Sequence, residues 1–214
     1  MMKSICLSLL FLCVISCKKE VKNLPEDFDF GEAKNNTYTN AYFGLSFNYP
    51  TDWSLQSKHD IKAITDKGEK YLARDNKQMK SILKAAQINT AYLFSLFKYP
   101  IKEANGYNAS LSVIAENITG NPAIVRGRDY LFNSKELLKQ TPAGFQFEGG
   151  FDTQTLGGRT FDVMRAKANF GGYAVNQDFF CIVRHGFSLS FILSYTNEEE
   201  KAVLYKIIDS IELE

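Results

Sequence analysis

Alternation of apolar and polar residues is clearest near the C-terminal end of the chain. From Phe187 to Tyr195 every second side chain is aromatic or aliphatic, and serine fills most positions between them. This period of two is typical of a β-strand. The pairs Gly171-Gly172 and His185-Gly186 indicate tight hairpin turns, since glycine accepts positive φ at little cost. An antiparallel meander is therefore predicted, with further strands at 145–147, 158–170 and 173–184.

Three segments in the first half of the chain also predict strands. The first alternates aromatic or aliphatic side chains with small or polar ones, and Pro50 ends it because proline cannot donate to a strand ladder. The second is apolar on both faces, with Tyr92 and Phe94 assigned to the same face, which is typical of a strand inside a covered sheet. These strands are predicted at 43–49, 91–99 and 110–118.

A long helical region is predicted between the first two of these strands. Residues 58–86 are expected to be helical in two pieces, divided in the region of Gly68 and Asp75-Asn76. Apolar residues recur at helical spacing in the second piece, so their stripe is expected to face the core. The stripe consists of Met79, Ile82, Leu83 and Ala86.

Two further helices are predicted from their start signals. Asn121-Pro122 resembles a helix start, and the helical pattern after it runs to Gln140. Asn197, followed three residues later by Glu200, predicts a capping box for the last helix. The buried stripe expected in that helix is Val203, Leu204, Ile207, Ile208 and Ile211.

The order of predicted elements defines the fold class. Hairpins imply an antiparallel sheet, and helices have to cover its apolar faces. The prediction is an α+β fold in which an antiparallel sheet is covered by helices in an α/β/α sandwich. Trp53, the only tryptophan, is expected to anchor the core rather than to stack on a ligand.

The N-terminus has the pattern of a secretory signal. Lys3 is the only charged residue before residue 18, and residues 5–15 are almost entirely apolar. A run this short cannot cross a bilayer as a helix, which needs about 20 residues. The run ends in Val14-Ile15-Ser16-Cys17, which resembles the lipobox of bacterial lipoproteins. The resemblance implies cleavage between Ser16 and Cys17 and lipid on Cys17; the alternative is an ordinary signal peptide with a chance cysteine.

These features divide the chain into three parts. Residues 1–16 are predicted to be the signal peptide, residues 17–36 the lipidated N-terminus with a flexible tether, and residues 37–214 one globular domain. The tether prediction rests on polar composition without a sustained period. The alternative is that Phe28 and Phe30 dock onto the domain.

Both ends of the domain resemble one family. Residues 42–53, YFGLSFNYPTDW, resemble the first strand of PsbP-like domains, in which an aromatic-glycine strand runs into Tyr-Pro and then a tryptophan. Residues 185–195, HGFSLSFILSY, and Ile208-Asp209-Ser210-Ile211 resemble the last strand and helix of that family, which also includes a Ran-binding factor. The resemblance implies the PsbP-like fold and an accessory rather than enzymatic role. The matching residues are packing and turn residues, so no site is implied.

Composition narrows the possible partners. The chain has 25 Lys and Arg residues and 24 Asp and Glu residues, and Lys3 leaves with a cleaved signal, so the mature protein is close to neutral. No nucleic-acid partner is expected, because such a partner requires a basic patch. After loss of Cys6 and Cys13 and lipidation of Cys17, only Cys181 remains, so neither a disulfide nor a cysteine-rich metal site is expected. No cofactor is predicted.

Candidate catalytic residues are few. His59 lies beside Asp60 near a predicted helix start, where solvation or capping is the expected role. Cys181 and His185 are four residues apart on one strand, about 13 Å, and therefore form no dyad by local geometry. Cys181 is instead expected to be a buried structural thiol. Other groups considered for ion binding are Glu148 with Asp152, Glu198 to Glu200, Arg126 and Arg128, with turn, capping or surface roles favoured.

Three functions are compatible with these features. The leading hypothesis is a non-catalytic, membrane-anchored envelope lipoprotein that binds an envelope protein or supports an assembly, held to the membrane through lipid on Cys17. The alternative is a carrier of a small apolar ligand, suggested by 17 Phe and 11 Tyr residues, which requires a concave and partly open apolar cavity. A hydrolase is the third.

The residue after the lipidated cysteine bears on the destination of the protein. Lys18 rather than aspartate follows Cys17, which favours the outer membrane.

Overall fold

A computed structural model of the protein describes residues 24–214, so the predicted signal peptide and Cys17 lie outside the described residues. The helices are α1 (Lys58–Ala73), α2 (Lys77–Asn89), α3 (Gly127–Leu138) and α4 (Glu198–Asp209). The strands are β1 (Glu32–Lys34), β2 (Thr37–Asn40), β3 (Leu45–Asn48), β4 (Ser54–Leu55), β5 (Thr90–Phe97), β6 (Ser110–Asn117), β7 (Gln146–Leu156), β8 (Arg159–Phe170), β9 (Tyr173–Arg184), β10 (Phe187–Tyr195) and β11 (Glu212–Leu213).

Two antiparallel sheets organise these elements. The main sheet has seven strands in the order β4-β5-β6-β10-β9-β8-β7, and the small sheet has four in the order β1-β2-β3-β11. The predicted turns at Gly171-Gly172 and His185-Gly186 connect β8 to β9 and β9 to β10. The predicted α+β class, an antiparallel sheet covered by helices, is confirmed.

One face of the main sheet forms the larger core with α4 and the small sheet. The odd-numbered side chains of β10 point into this core and are at most 5% exposed, as their alternation predicted. Trp53 is buried in the same cluster and acts as the expected anchor. Leu204, Ile207 and Ile208 of α4 and Ile211, just after the helix, belong to this core.

The opposite face of the main sheet carries the other three helices, and α3 lies closest to it. The backbone of Gly127, the first residue of α3, approaches the carbonyl group of Cys181 in β9 so closely that a Cβ atom would overlap it. The Asp162 carboxylate accepts a hydrogen bond from the backbone N–H of Arg128 at 2.9 Å. A carboxylate at a helix N-terminus satisfies a free N–H and complements the helix dipole. These contacts fix α3 across β8 and β9.

Helices α1 and α2 form a hairpin beside α3. Within residues 24–214 no helix is long and apolar enough to cross a membrane. The break falls at residues 74–76, where Arg74 has a φ of 44° and the Asn76 side chain caps α2 by accepting from Met79 N–H at 3.0 Å. The predicted break near Asp75-Asn76 is therefore confirmed. Helix α1 runs through Gly68, the other position named for the division, because a helix tolerates an internal glycine at about 1 kcal/mol.

Residues 24–36 pack against the domain, so the tether prediction was wrong for this segment. Phe28 is 9% exposed and lies in the larger core, and β1 pairs with β2. The Asp29 carboxylate accepts a hydrogen bond from Ala41 N–H at 2.7 Å, and Tyr38 donates its hydroxyl to the Phe30 carbonyl at 2.9 Å. Aromatic burial and these hydrogen bonds offset the entropy lost on ordering. The alternative prediction, that Phe28 and Phe30 dock onto the domain, is confirmed.

The predicted helix start at Asn121-Pro122 was wrong. The Asn121 carbonyl accepts from Ile124 N–H at 3.1 Å, which closes a turn, and α3 begins only at Gly127. The Asp129 side chain accepts from the N–H groups of Arg126 and Val125, at 2.9 and 3.1 Å. The carboxylate in the first turn of α3, rather than the asparagine, thus defines where the helix begins.

Two bulges change strand geometry that simple alternation predicts. Tyr92 pairs with Ile114 and Phe94 with Val113, so an extra residue, Leu93, turns Tyr92 and Phe94 to opposite faces. Their assignment to one face was therefore wrong. A second bulge lies between Glu148 and Asp152 and lets β7 run far beyond the predicted 145–147.

Replacement of Gly127 with alanine is expected to destabilise the domain by about 1–3 kcal/mol, the usual cost of overpacking. The added Cβ atom would overlap the Cys181 carbonyl group and push α3 away from β9. Gly68→Ala is the matched control: no atom lies within 4 Å of its Cβ position, so this change inside α1 should stabilise by about 0.5–1 kcal/mol. Urea unfolding of both variants measures the difference, and equal stability would contradict the close approach.

Candidate functional site

A cleft lies between the α1–α2 hairpin, α3 and the main sheet. Its volume is about 550 Å³, within the range of roughly 300–1,000 Å³ that is usual for small-molecule sites. Strands β5 and β6 form its floor, the hairpin one wall and α3 the other. Its lining includes Ile64, Leu83, Tyr92, Ile114, Glu116 and Tyr130.

The walls of the cleft are mostly apolar and incompletely covered. Of the α2 stripe predicted to face the core, only Met79 is buried, at 2% exposure, whereas Ile82 is 39% exposed. Ile82, Leu83 and Ala86 line the cleft instead. Helix α2 contacts β5 and β6, whereas α1 packs mainly on α2. The hairpin therefore covers this part of the sheet incompletely. The cleft is thus the concave, partly open apolar cavity that an apolar ligand requires.

A tyrosine and a carboxyl group supply hydrogen-bonding groups at the floor. Tyr130 on α3 donates its hydroxyl to Glu116 Oε2 on β6 at 2.7 Å. Burial raises the pKa of Glu116, and the hydrogen bond from Tyr130 partly opposes that rise. Burial and the neighbouring Glu116 carboxylate raise the pKa of Tyr130, and burial also raises that of Tyr92. Groups whose neutral forms are favoured by burial suit a largely apolar site with a few polar contacts.

A smaller annex continues the cleft toward the N-terminal segment. Its volume is about 290 Å³, and it shares Thr65, Gln87, Thr90 and Tyr92 with the cleft. Phe30 from the docked segment forms part of its wall. The charged residues of the annex are Lys62, Asp66 and Lys84. Because the two cavities share four lining residues, we treat them as one elongated site.

The candidate catalytic residues lie on separate parts of the fold. His59 is in the first turn of α1 with a solvent-exposed side chain, and the helix cap is Ser57, whose Oγ accepts from Asp60 N–H at 3.2 Å. His185 lies in the β9–β10 turn, where its Nδ1 is 2.9 Å from the Tyr42 carbonyl oxygen. Cys181 is fully buried, and burial raises the pKa of its thiol to about 12, as expected of a structural thiol.

The charged groups considered for ion binding are paired in the structure. Glu148 lies 2.6 Å from Lys167 Nζ, and Asp152 pairs with Arg165 across β7 and β8. Asn197 caps α4 as predicted, by accepting from Glu200 N–H at 2.9 Å. The Glu200 carboxylate accepts from the N–H of Thr196 at 2.9 Å, one residue before the N–H that the predicted capping box requires.

The remaining charged candidates lie at the start of α3. Arg128 lies 3.6 Å from the Asp162 carboxylate, and Arg126 precedes the first turn of the helix. Within residues 24–214 no three His, Cys, Asp or Glu side chains are grouped to hold a metal ion.

Comparison with known proteins identifies the fold. No protein-family model matches the chain, and no curated protein matches it. The solution structure of cyanobacterial PsbP (CyanoP) from Synechocystis sp. PCC 6803 superposes with a TM-score of 0.52 at 13% identity, covering 86% of this chain and 95% of that one. The chain has a PsbP-like fold. At this identity the likeness extends to the fold alone.

A second solved structure matches a similar share of the chain but superposes less well. LpqN, involved in cell envelope biogenesis of Mycobacterium tuberculosis, is 14% identical and covers 79% of this chain and 82% of its own, with a TM-score of 0.41. A score this low carries no conclusion about the present PsbP-like domain. The elongated site of the present protein therefore has to be interpreted from the residues that line it.

Sequence reasoning missed the residues that define the cleft. Glu116 was visible only as a charge within a predicted strand, and Tyr130 as one position of a broken helical pattern. A carboxylate on the same face as Ile114, in a strand whose other face is fully apolar, was the one available signal. Tyr130 is fourteen residues away in sequence and reaches Glu116 only because α3 folds back over the PsbP-like sheet.

Replacement of Glu116 with glutamine is expected to raise the melting temperature at about pH 7 and to have little effect at about pH 4. Burial raises the pKa of this carboxyl in the folded protein above its ordinary value. The protonated carboxyl therefore contributes to folding stability below the ordinary pKa, and this contribution is lost as the pH rises through the folded-state pKa. The glutamine oxygen still accepts from Tyr130. Exposed Glu103→Gln is the control, expected to show no such difference between the two pH values. Thermal melts monitored by circular dichroism test this; a variant less stable at neutral pH would contradict it.

Proposed function

We propose that this protein is a lipid-anchored lipoprotein of the bacterial cell envelope whose non-catalytic PsbP-like domain binds a small apolar ligand in the elongated site. The observation that carries the proposal is the cleft of about 550 Å³ lined by half-buried apolar side chains. A part-buried carboxyl–tyrosine pair at its floor provides the few polar contacts that orient a ligand. The sequence raised this function as the alternative to partner binding, and the cleft is the reason to prefer it.

The proposed anchor follows from the lipobox at residues 14–17. Lipid chains on Cys17 would hold the protein at a membrane, since each buried methylene contributes about 0.8 kcal/mol and several chains give durable anchoring. The outer membrane is the proposed destination because Lys18 follows the cysteine. An anchored binding domain places its site close to a supply of apolar molecules.

The proposal of a non-catalytic role rests on where the reactive side chains lie. The two histidines are on α1 and in the β9–β10 turn, and the thiol of Cys181 is buried beneath α3. A partner protein is the second candidate function. Val125 and Phe132, which are 69% and 53% exposed beside and on α3, favour it because they offer apolar contact area.

Metabolic labelling with a clickable palmitate analogue tests the anchor in a host that processes lipoproteins. The native chain is expected to incorporate the label and to fractionate with membranes. Cys17→Ala should lose essentially all label, because the thiolate that accepts the lipid is gone. Cys13→Ala, a matched change within the signal, should retain it. Labelling that persists in Cys17→Ala would contradict lipidation at this residue.

Extraction of bound molecules tests the binding site. A protease site placed between residues 23 and 24 allows the folded domain to be released from membranes, and its bound apolar molecules to be extracted and identified by mass spectrometry. Ala86→Trp should lower the extracted amount about tenfold, because the indole ring fills the cleft that Ala86 lines. Ala85→Trp, an exposed neighbour on α2, should leave it unchanged. Equal recovery from both variants would exclude the cleft as the binding site.

A further inference from the structure

The charges along the elongated site are distributed unequally between its two ends. The annex contains Lys62, Lys84 and Asp66, which sum to a net positive charge. The cleft contains the carboxylate of Glu69 and no basic residue in its lining. An anionic group would therefore be attracted to the annex and repelled from the cleft.

Lys84 is the cation available for such a group. Lys62 Nζ lies 3.1 Å from the Asp66 carboxylate, so the charge of this lysine is already compensated. Among residues 24–214 no carboxylate pairs with Lys84, which projects from α2 at the annex with an exposed side chain. Its ammonium group can therefore meet a ligand carboxylate or phosphate without first losing a protein partner.

The cleft has the shape and chemistry for an apolar chain. From the annex it runs past Tyr92 to Ile114 on the sheet and to Leu137 on α3. Burial favours the uncharged form of Glu116 at its floor, which lowers the penalty for placing apolar groups beside it. The adjoining annex and cleft thus pair a basic end with an apolar end.

We propose that the ligand is a single-chain anionic amphiphile, with its head group at Lys84 and its chain along the cleft toward Ile114 and Leu137. This inference rests on the proposed function, because it names the class of apolar ligand that the same site binds. The annex and the cleft together suit one chain, and the unequal distribution of charge sets its direction. A long-chain carboxylate is the probe that carries both features.

Photo-crosslinking of the full, lipidated chain in lipid nanodiscs tests the proposal. The probe is a long-chain fatty acid with a diazirine in its chain, and crosslinked peptides are mapped by mass spectrometry. Crosslinks are expected on the peptides that contain Ile114 and Leu137. Lys84→Glu should reduce them about fivefold, since an attraction becomes a repulsion, and added salt should weaken the native signal. Lys80→Glu changes the same charge on an exposed position of α2 outside the site and should reduce them less than about twofold.

The corresponding fatty alcohol separates the two proposals. If the uncharged probe labels the cleft as strongly as the acid, or if Lys84→Glu and Lys80→Glu behave alike, the head-group inference is overturned while the apolar site stands. If neither probe labels the cleft peptides of the native chain, the proposed function fails and the inference fails with it. Circular dichroism melts of both variants show whether the fold is retained, and strong acid labelling that is lost only in a folded Lys84→Glu supports the proposal.

Discussion

The first turn of α3 lies directly on the backbone of β9, and the space for a binding site depends on this contact. Gly127 permits the approach because it has no Cβ atom, and Asp162 secures it by accepting from the N–H group of Arg128. With α3 held over β8 and β9, the sheet surface on β5 and β6 is left to the α1–α2 hairpin, which covers it only in part. The cleft is the space that remains.

The two faces of the main sheet differ in how completely they are packed. Toward α4 the face is dominated by large aromatic and aliphatic side chains, and the buried carboxylate of Asp178 accepts hydrogen bonds from Tyr205 on α4 at 2.7 Å and from Tyr195 on β10 at 3.0 Å. This side is a close-packed interior of the usual kind. On the opposite face a second cluster of apolar side chains packs under α3, whereas the surface of β5 and β6 toward the α1–α2 hairpin is incompletely covered. The proposed function uses this incompletely covered part.

The docked N-terminal segment links the proposed anchor to the proposed site. Residues 24–36 run along the domain, and Phe30 forms part of the annex wall that lies near Lys84. A chain held by lipid on Cys17 would thus reach the domain through a segment that also borders the basic end of the site. The anionic head group and the membrane anchor are accordingly proposed to lie on the same side of the molecule.

Much of the fold was readable from the sequence, because alternation, turn glycines and capping residues act over a few neighbouring positions. These local patterns determined β9 and β10, the hairpin turns and the Asn197 cap of α4. The lipobox around Cys17 is a local pattern of the same kind and stays a prediction. Contacts between distant segments decided the rest: the docking of Phe28, the bulge at Leu93, the start of α3 at Gly127, and the meeting of Tyr130 with Glu116. The cleft belongs to this second group. A cavity forms where several elements leave the space between them unfilled, so the sequence of any one segment does not predict it.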